Sequence, residues 1–388
     1  MKTLDAALQA WGQTWRAILG DKAALLLFFI SGIIYSFFYP LPYSGETVRR
    51  VPVAIVDQDN SMLSRQLVRW TGAHPGLAVA GVTTRPEQAQ DWIWRGEAAG
   101  VMIIPADFSR KILAGRQPEV EVGGLGAYPL LNKVALNGLA EVVGTLSAGV
   151  ELKRLGAATP SAAQAEAQRQ PVSVEALPMF NVREGYASYI VPGVVVLLMQ
   201  QTFLLGIGLL FGSWASEGRF PYAPRTAAYA GALAAFSLVV ILNAAWFFGF
   251  VFWFQDYPRG GNPGASLALT LLYSVCVAAL GIWMGLFFRT RERSVQLLVA
   301  SSMPVLFLAG LAWPASALPL PLQGLRWLLP STAGIEGFIA TNQMGASLAE
   351  IGQEMLALTM LTIAFVVLGL RKWRRRPAPA GEPAPRSG

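Results

Sequence analysis

The 388-residue chain is 54% hydrophobic and only 14% charged, where an ordinary soluble domain carries about 25% charge. With a mean hydropathy of +0.45, this composition excludes a purely soluble protein and points to an integral membrane protein with room for one soluble domain. The net charge of +7 does not indicate a nucleic-acid partner, because the basic residues sit beside apolar runs, as orientation signals do. One cysteine, Cys276, and one histidine, His74, exclude an intrachain disulfide and a cysteine metal site, and leave almost no material for His-based catalysis.

Residues 1–22 open the chain with Leu4, Leu8, Trp11, Trp15, Ile18 and Leu19 at helical spacing on one side, and Gln9, Gln13 and Arg16 on the other. The spacing predicts a cytoplasmic amphipathic helix. Two readings stay open: a helix lying in the membrane surface with its tryptophans at headgroup depth, or a plain lead-in to the first span. Residues 23–39 are uncharged and, at about 1.5 Å per residue, long enough to cross most of the hydrocarbon. No small-x-small cleavage pattern follows, so this is read as a retained anchor.

From 40 to 185 charges recur. VPVAIV (51–56), residues 77–82 and GVMII (100–104) read as strands, and 62–70 and 87–95 as helices between them. Val120 and Val122 add an edge strand. Alternating strands and helices predict a small α/β domain with a mixed sheet. Over 130–155 the period becomes helical, with Leu131, Ala135, Leu139, Val142 and Leu146 on one face, so a long stalk helix is expected. The stretch 157–170 is rich in Ala and Gln and reads as a loop or a helix end. Asp57 and Asp59 resemble half of a calcium loop, but no glycine or later glutamate completes one; capping of the next helix is the expectation. His74, in a Gly/Pro turn, is expected to be solvated.

Five further apolar runs follow, at 189–212, 226–254, 266–288, 294–311 and 355–370, giving a six-span α-helical polytopic protein with a five-helix region over 186–371. Gln200 and Gln201 lie mid-span in the first of these and Asn243 in the second. Such polar side chains serve either helix–helix hydrogen bonding or a substrate path, for which Trp246 and Phe250 are further candidates. Between the last two runs, residues 313–339 are apolar yet carry Pro314, Pro319, Pro321 and Pro330. Proline breaks helices, and broken helices survive at membrane depth only when shielded by protein or lining a wet cavity. A re-entrant pair of short helices closing one end of a passage is expected, with Glu336 near its end. One set of loops holds Arg219, Arg225, Arg289, Arg291, Arg293 and the basic run 371–376; the other holds Arg259 and Arg326. Basic residues stay cytoplasmic, which places both termini, including the Pro/Ala-rich tail 372–388, inside the cell and the 40–185 domain outside.

No G-x-x-x-x-G-K-[ST], G-x-S-x-G, H-E-x-x-H or Cys/His cluster occurs, so the chain has no P-loop. Work against a gradient then requires another chain. The order of elements, with VPVAIVDQDNSMLSRQLVR (51–69), AAGVMIIPADFSRKI (98–112) and LPLPLQGLRWLLPSTAGIEGF (318–338), resembles ABC-2 type transporter permeases with a large outer domain between the first two spans. That resemblance implies a permease that is not itself an enzyme and exports a small or amphipathic substrate such as a drug or lipid. It implies a cytoplasmic ATPase subunit that binds ATP and magnesium, a second permease copy or paralogue, and in many cases a periplasmic adaptor and an outer-membrane channel. It assigns the ATPase contact to the amphipathic start, with Trp11 and Trp15, and to the loop 213–225, with Glu217 and Arg219, and makes 314–339 an outer gate. Relatives place a Gly-Thr pair after the acidic residue; here Glu217-Gly218-Arg219 is followed by Pro221 and Pro224. The reading from another class is a non-transporting scaffold or receptor that presents the 40–185 domain; six spans are more than such an anchor needs.

Overall fold

A computed structural model describes residues 2–43, 48–156, 180–181, 185–223, 225–311 and 313–376. The 157–170 stretch and the tail from 377 lie outside the described residues. The chain divides into two compact units: Gly45–Leu177, and Met1–Ser44 together with Pro178–Gly388.

The smaller unit is built on a four-stranded sheet of β1 (Val51–Asp57), β2 (Leu77–Thr83), β3 (Gly100–Ile104) and β4 (Glu121–Gly124), in the order β2-β1-β3-β4. β1 pairs in parallel with β2 and β3, and β4 closes the edge antiparallel to β3. β1 is central and covered on both faces, which is why its run is continuously apolar instead of alternating. Val51, Val53 and Ile55 join a core with Met102, Ala135, Leu139, Val142 and Leu146. Ala54 and Val56, on the opposite side of the pleat, pack with Ala89 and Ala98. Ala135 to Leu146 belong to the 28-residue helix Pro129–Gly156, whose i, i+4, i+7 stripe the period had indicated.

Two local expectations are corrected. The helix Met62–Ala73 is capped by Ser61 in a capping box with Ser64, not by an aspartate. Asp57 accepts from the Asp59 and Asn60 amides and from Ser64 Oγ, while Asp59 accepts from the amide and hydroxyl of Ser109. Both carboxylates are thus spent on the loop, and no group of three or more His, Cys, Asp or Glu able to hold a metal occurs among the described residues. His74 is not solvated: its ring lies 17% exposed, Nδ1 accepts from the Gly76 amide, and Nε2 reaches Glu141 at 3.3 Å.

In the larger unit, five helices are long and apolar enough to cross a membrane: Lys22–Tyr43, Tyr186–Ser216, Thr226–Phe254, Pro263–Gly285 and Gly352–Trp373. These are the first to fourth spans and the last span below. The expected run 294–311 forms the helix Arg291–Leu308, but Arg291, Glu292 and Arg293 occupy its first turn and Pro304 lies inside it. A count of six therefore does not follow from length and composition alone. The first span contains a π-helical turn at Leu26–Ile30 and the third one at Ala245–Val251.

Leu139 is fully buried under the sheet. Leu139→Ala is expected to cost about 2–5 kcal/mol, whereas Asn137→Ala, on the exposed side of the same helix, stays within about 0.5 kcal/mol. Denaturant unfolding of the two variants checks this; equal effects would contradict the assigned face.

Candidate functional site

The N-terminal helix Lys2–Gly20 packs along the third span. Ala10, Thr14 and Ile18 are buried, and Leu4, Leu8 and Leu19 are exposed. The expected single apolar stripe is therefore two stripes: Ile18 faces the bundle, the leucines face away, and Trp11 and Trp15 are half-buried between them. At Gly231 of the third span a Cβ would strike the carbonyl of Ala7, so the absence of a side chain there permits the helix to lie against backbone.

The turn that follows the second span is tied to the same place. Tyr222 is fully buried, and its hydroxyl lies 2.8 Å from Thr14 Oγ1. Thr14 donates its own proton to the Ala10 carbonyl, so Tyr222 is the donor. Burial pushes the Tyr222 hydroxyl well above its ordinary pKa, which keeps it a neutral donor. Trp373, at the end of the last span, donates from Nε1 to the Ala223 carbonyl at 3.1 Å. Phe220 meets Trp373 edge-on, and the Arg376 guanidinium sits 4.6 Å from the Phe220 ring centre. Within this anchored loop Glu217, Gly218 and Arg219 are exposed, with Gly218 at φ +64, a backbone region open chiefly to glycine. Glu217 and Arg219 form no ion pair with a described residue.

Asp21 holds the same region together. It caps the first span through the Ala23 and Ala24 amides and receives both guanidinium nitrogens of Arg291, at 2.9 and 3.2 Å. Arg291 also reaches Ser213 Oγ at 3.4 Å. One carboxylate thereby connects the start of the first span, the end of the second and the start of the helix Arg291–Leu308. Partial burial alone would raise the Asp21 pKa; the Ala24 amide, the Arg291 hydrogen bond and the Arg291 charge outweigh it and hold it below 3.8.

The proline-rich stretch is a broken hairpin. Pro319 precedes the short helix Leu320–Leu325, with Pro321 in its first turn, a 3-10 turn covers Arg326–Leu328, and Pro330 starts the helix Pro330–Phe338. Pro314 precedes a further 3-10 turn, Ala315–Ala317. Proline at the first helical position has no orphan amide to satisfy, so the prolines start helices here as well as stopping them. Glu336 meets Arg326 at 2.7 Å, with Arg326 only 9% exposed and Glu336 33%. Thr332 donates to the Arg326 carbonyl at 2.6 Å. At Gly334 a Cβ would meet the Tyr273 ring at 2.6 Å, so this helix packs directly on the fourth span. Downstream, the Gly261 and Asn262 amides donate to the Asn342 and Thr341 carbonyls, which pins the π-helical turn Ile339–Gln343 to the loop between the third and fourth spans.

The family description "ABC-2 family transporter protein" matches residues 22–371. The chain belongs to this family. It is 24% identical over 375 residues to the inner membrane transport permease YhhJ of Escherichia coli strain K12, covering 93% of this chain and 94% of that protein. It is 23% identical over 373 residues to the linearmycin resistance permease protein LnrN of Bacillus subtilis strain 168, covering 89% and 94%. This ABC-2 chain is accordingly the multi-pass membrane subunit of a transporter, and the family implies an ATPase subunit beside it.

The polar residues nominated for a substrate path do not converge in this ABC-2 permease. Gln200 is buried and donates from Nε2 to Ser331 Oγ of the hairpin at 3.3 Å, leaving Oε1 without a partner. Asn243 donates to the carbonyls of Phe28 and Val239 at 2.9 Å each; Phe28 lies in the π-helical turn of the first span. Trp246 donates to Ser36 Oγ at 2.8 Å and lies against Phe250. Asn243 and Trp246 thus bind the third span to the first, and Gln201 is half-buried. Sequence reasoning missed Asp21, Arg291, Tyr222 and Arg326. Only Arg326 had a signal: a lone cation in an apolar stretch, with Glu336 two helical pieces away.

Two predictions follow from these ion pairs. A depressed carboxylate contributes stability above its unfolded pKa and loses it as pH falls through the folded one. Asp21→Asn is therefore expected to reduce the unfolding free energy near neutral pH by about 1 kcal/mol at most, because Arg291 is 38% exposed, with the deficit closing below the ordinary value of 3.8; a pH-independent deficit would contradict the pairing. Glu336→Ala and Arg326→Ala are each expected to destabilise, with the double variant costing less than the sum by at least about 0.5 kcal/mol. A double-mutant cycle on unfolding measures that coupling, and additive effects would refute it.

Proposed function

We propose that this permease is the membrane subunit of an ATP-driven exporter in a bacterial inner membrane, moving a small or amphipathic substrate such as a drug or lipid outward. In this reading Arg291–Leu308 completes six crossings, both termini are cytoplasmic, and the unit Gly45–Leu177 is outside. The single observation that carries it is the anchoring of the exposed Glu217-Gly218-Arg219 turn. Through Thr14–Tyr222 and Ala223–Trp373 the turn is linked to the N-terminal helix and to the end of the last span. A partner that pulls on the turn therefore moves helices, not a slack loop.

ATP binding by the partner acts on transport only if the two permease states bind that partner with different free energies. The hairpin 313–339, with Pro314, Pro319, Pro321, Pro330 and Glu336, acts as the outer gate between two permease copies or paralogues. A periplasmic adaptor and an outer-membrane channel extend the path in this reading. The names of the relatives, an inner membrane transport permease and a linearmycin resistance permease, support the inner-membrane location and, through the resistance named in one of them, a drug as cargo.

The purified chain alone is expected to hydrolyse no ATP, and the cognate ATPase subunit to turn over when added. Glu217→Ala combined with Arg219→Ala is expected to reduce the permease-stimulated rate at least about fivefold, the lower end of a typical coupling free energy. Robust hydrolysis by this chain alone, or stimulation untouched by the double variant, would refute the reading.

A further inference from the structure

The last span ends in the basic run Arg371-Lys372-Trp373-Arg374-Arg375-Arg376. As a topogenic signal such a run needs only to lie beside the membrane. Here four of its five cations do more: Arg371, Lys372, Arg375 and Arg376 line one pocket of about 570 Å³, walled by Trp283 and Phe287 of the fourth span's end and by Leu368. That volume is in the range of small-molecule sites, about 300–1,000 Å³.

No carboxylate lines the pocket, and none of the four cations forms an ion pair with a described residue. Two of them are held inward by other means. Lys372 Nζ lies 3.0 Å from the Phe287 ring centre, and Arg376 donates to the Leu286 carbonyl at 3.0 Å. Four like charges around one concavity repel each other unless an anion sits among them. The walls specify the rest of the ligand: Phe287 is 54% and Leu368 41% exposed, an apolar flank on the surface of the spans. An acidic protein surface would have no use for that flank, and a free anion would not touch it.

We propose that this pocket is a binding site for an anionic phospholipid, with the phosphate headgroup among Arg371, Lys372, Arg375 and Arg376 and the acyl chains along Phe287 and Leu368. None of Trp11, Trp15, Glu217, Arg219 and the hairpin residues lines the pocket, and the proposal stands whether or not the exporter reading does. The site couples the lipid to mechanism by position, because Arg376 also covers Phe220 in the anchored turn.

The test titrates the full-length chain in a neutral detergent with phosphatidylglycerol, phosphatidylcholine and inorganic phosphate, with retained lipid read by native mass spectrometry. Phosphatidylglycerol is expected to be retained at one per chain, and phosphatidylcholine and phosphate not to displace it. Arg371→Gln with Arg375→Gln removes two cations at about fivefold each, so retention is expected to weaken about 25-fold. Leu368→Glu places a carboxylate on the wall while leaving every orientation signal in place, and is expected to weaken retention at least about fivefold; it keeps the test decisive if the arginine variant misinserts. Arg374→Gln, outside the pocket lining, is expected to change retention less than about threefold. Equal loss in Arg374→Gln and the double arginine variant, undiminished retention in Leu368→Glu, equal binding of phosphatidylcholine, or displacement by equimolar phosphate would each overturn the proposal.

Discussion

A guanidinium removed from water must be answered by a fixed negative charge or it will not stay there. Glu336 answers Arg326, and the proline-broken hairpin is arranged so that the two meet across its bend. The same bend exposes backbone groups that a continuous helix would have satisfied. Thr332 takes the Arg326 carbonyl, and the amides of Gly261 and Asn262 take carbonyls further on. Irregular backbone inside an apolar bundle is tolerated only under this kind of accounting. The hairpin thus holds its Arg326–Glu336 pair and its bend carbonyl between spans, with Gly334 admitting the Tyr273 ring, while Arg326 Nη1 and Asn342 Nδ2 are buried without a partner among the described residues.

The opposite design governs the region around Asp21. There Asp21 and Arg291 are partly exposed while Thr14, Tyr222 and Trp373 are buried, and the groups share partners. Asp21 serves two amides and a guanidinium, Thr14 serves Ala10 and Tyr222, and Trp373 reaches Ala223. Shared partners make motions correlate, because no element leaves without breaking a contact of another. In the proposed reading this suits a surface that transmits a mechanical signal, whereas the proposed gate benefits from few and strong contacts that break together.

The polar residues inside the spans serve a structural purpose where they are satisfied. Asn243 fills the carbonyl that the π-helical turn at Phe28 presents, and Trp246 bonds to Ser36 of the same span. Gln200 differs in that only its amide nitrogen is used, on Ser331 of the hairpin. Its side-chain oxygen is buried without a partner among the described residues.

Periodicity and composition by themselves determined the membrane class, the four strands and the helices at 62–73, 86–94 and 129–156, and the buried stripe from Ala135 to Leu146, because each depends on neighbours within a few residues; the short helix Phe108–Leu113 was not legible. The proline breaks of the hairpin were legible for the same reason. Tertiary structure alone decided which face of the N-terminal helix is buried, since Ile18 and the leucines carry the same hydropathy and only Gly231 shows where the backbone comes close. It also decided that Asp21 pairs with Arg291, 270 positions away, and that the basic run closes over Trp283 and Phe287. Pairing of charges depends on distance in space, and a linear sequence records distance only along the chain.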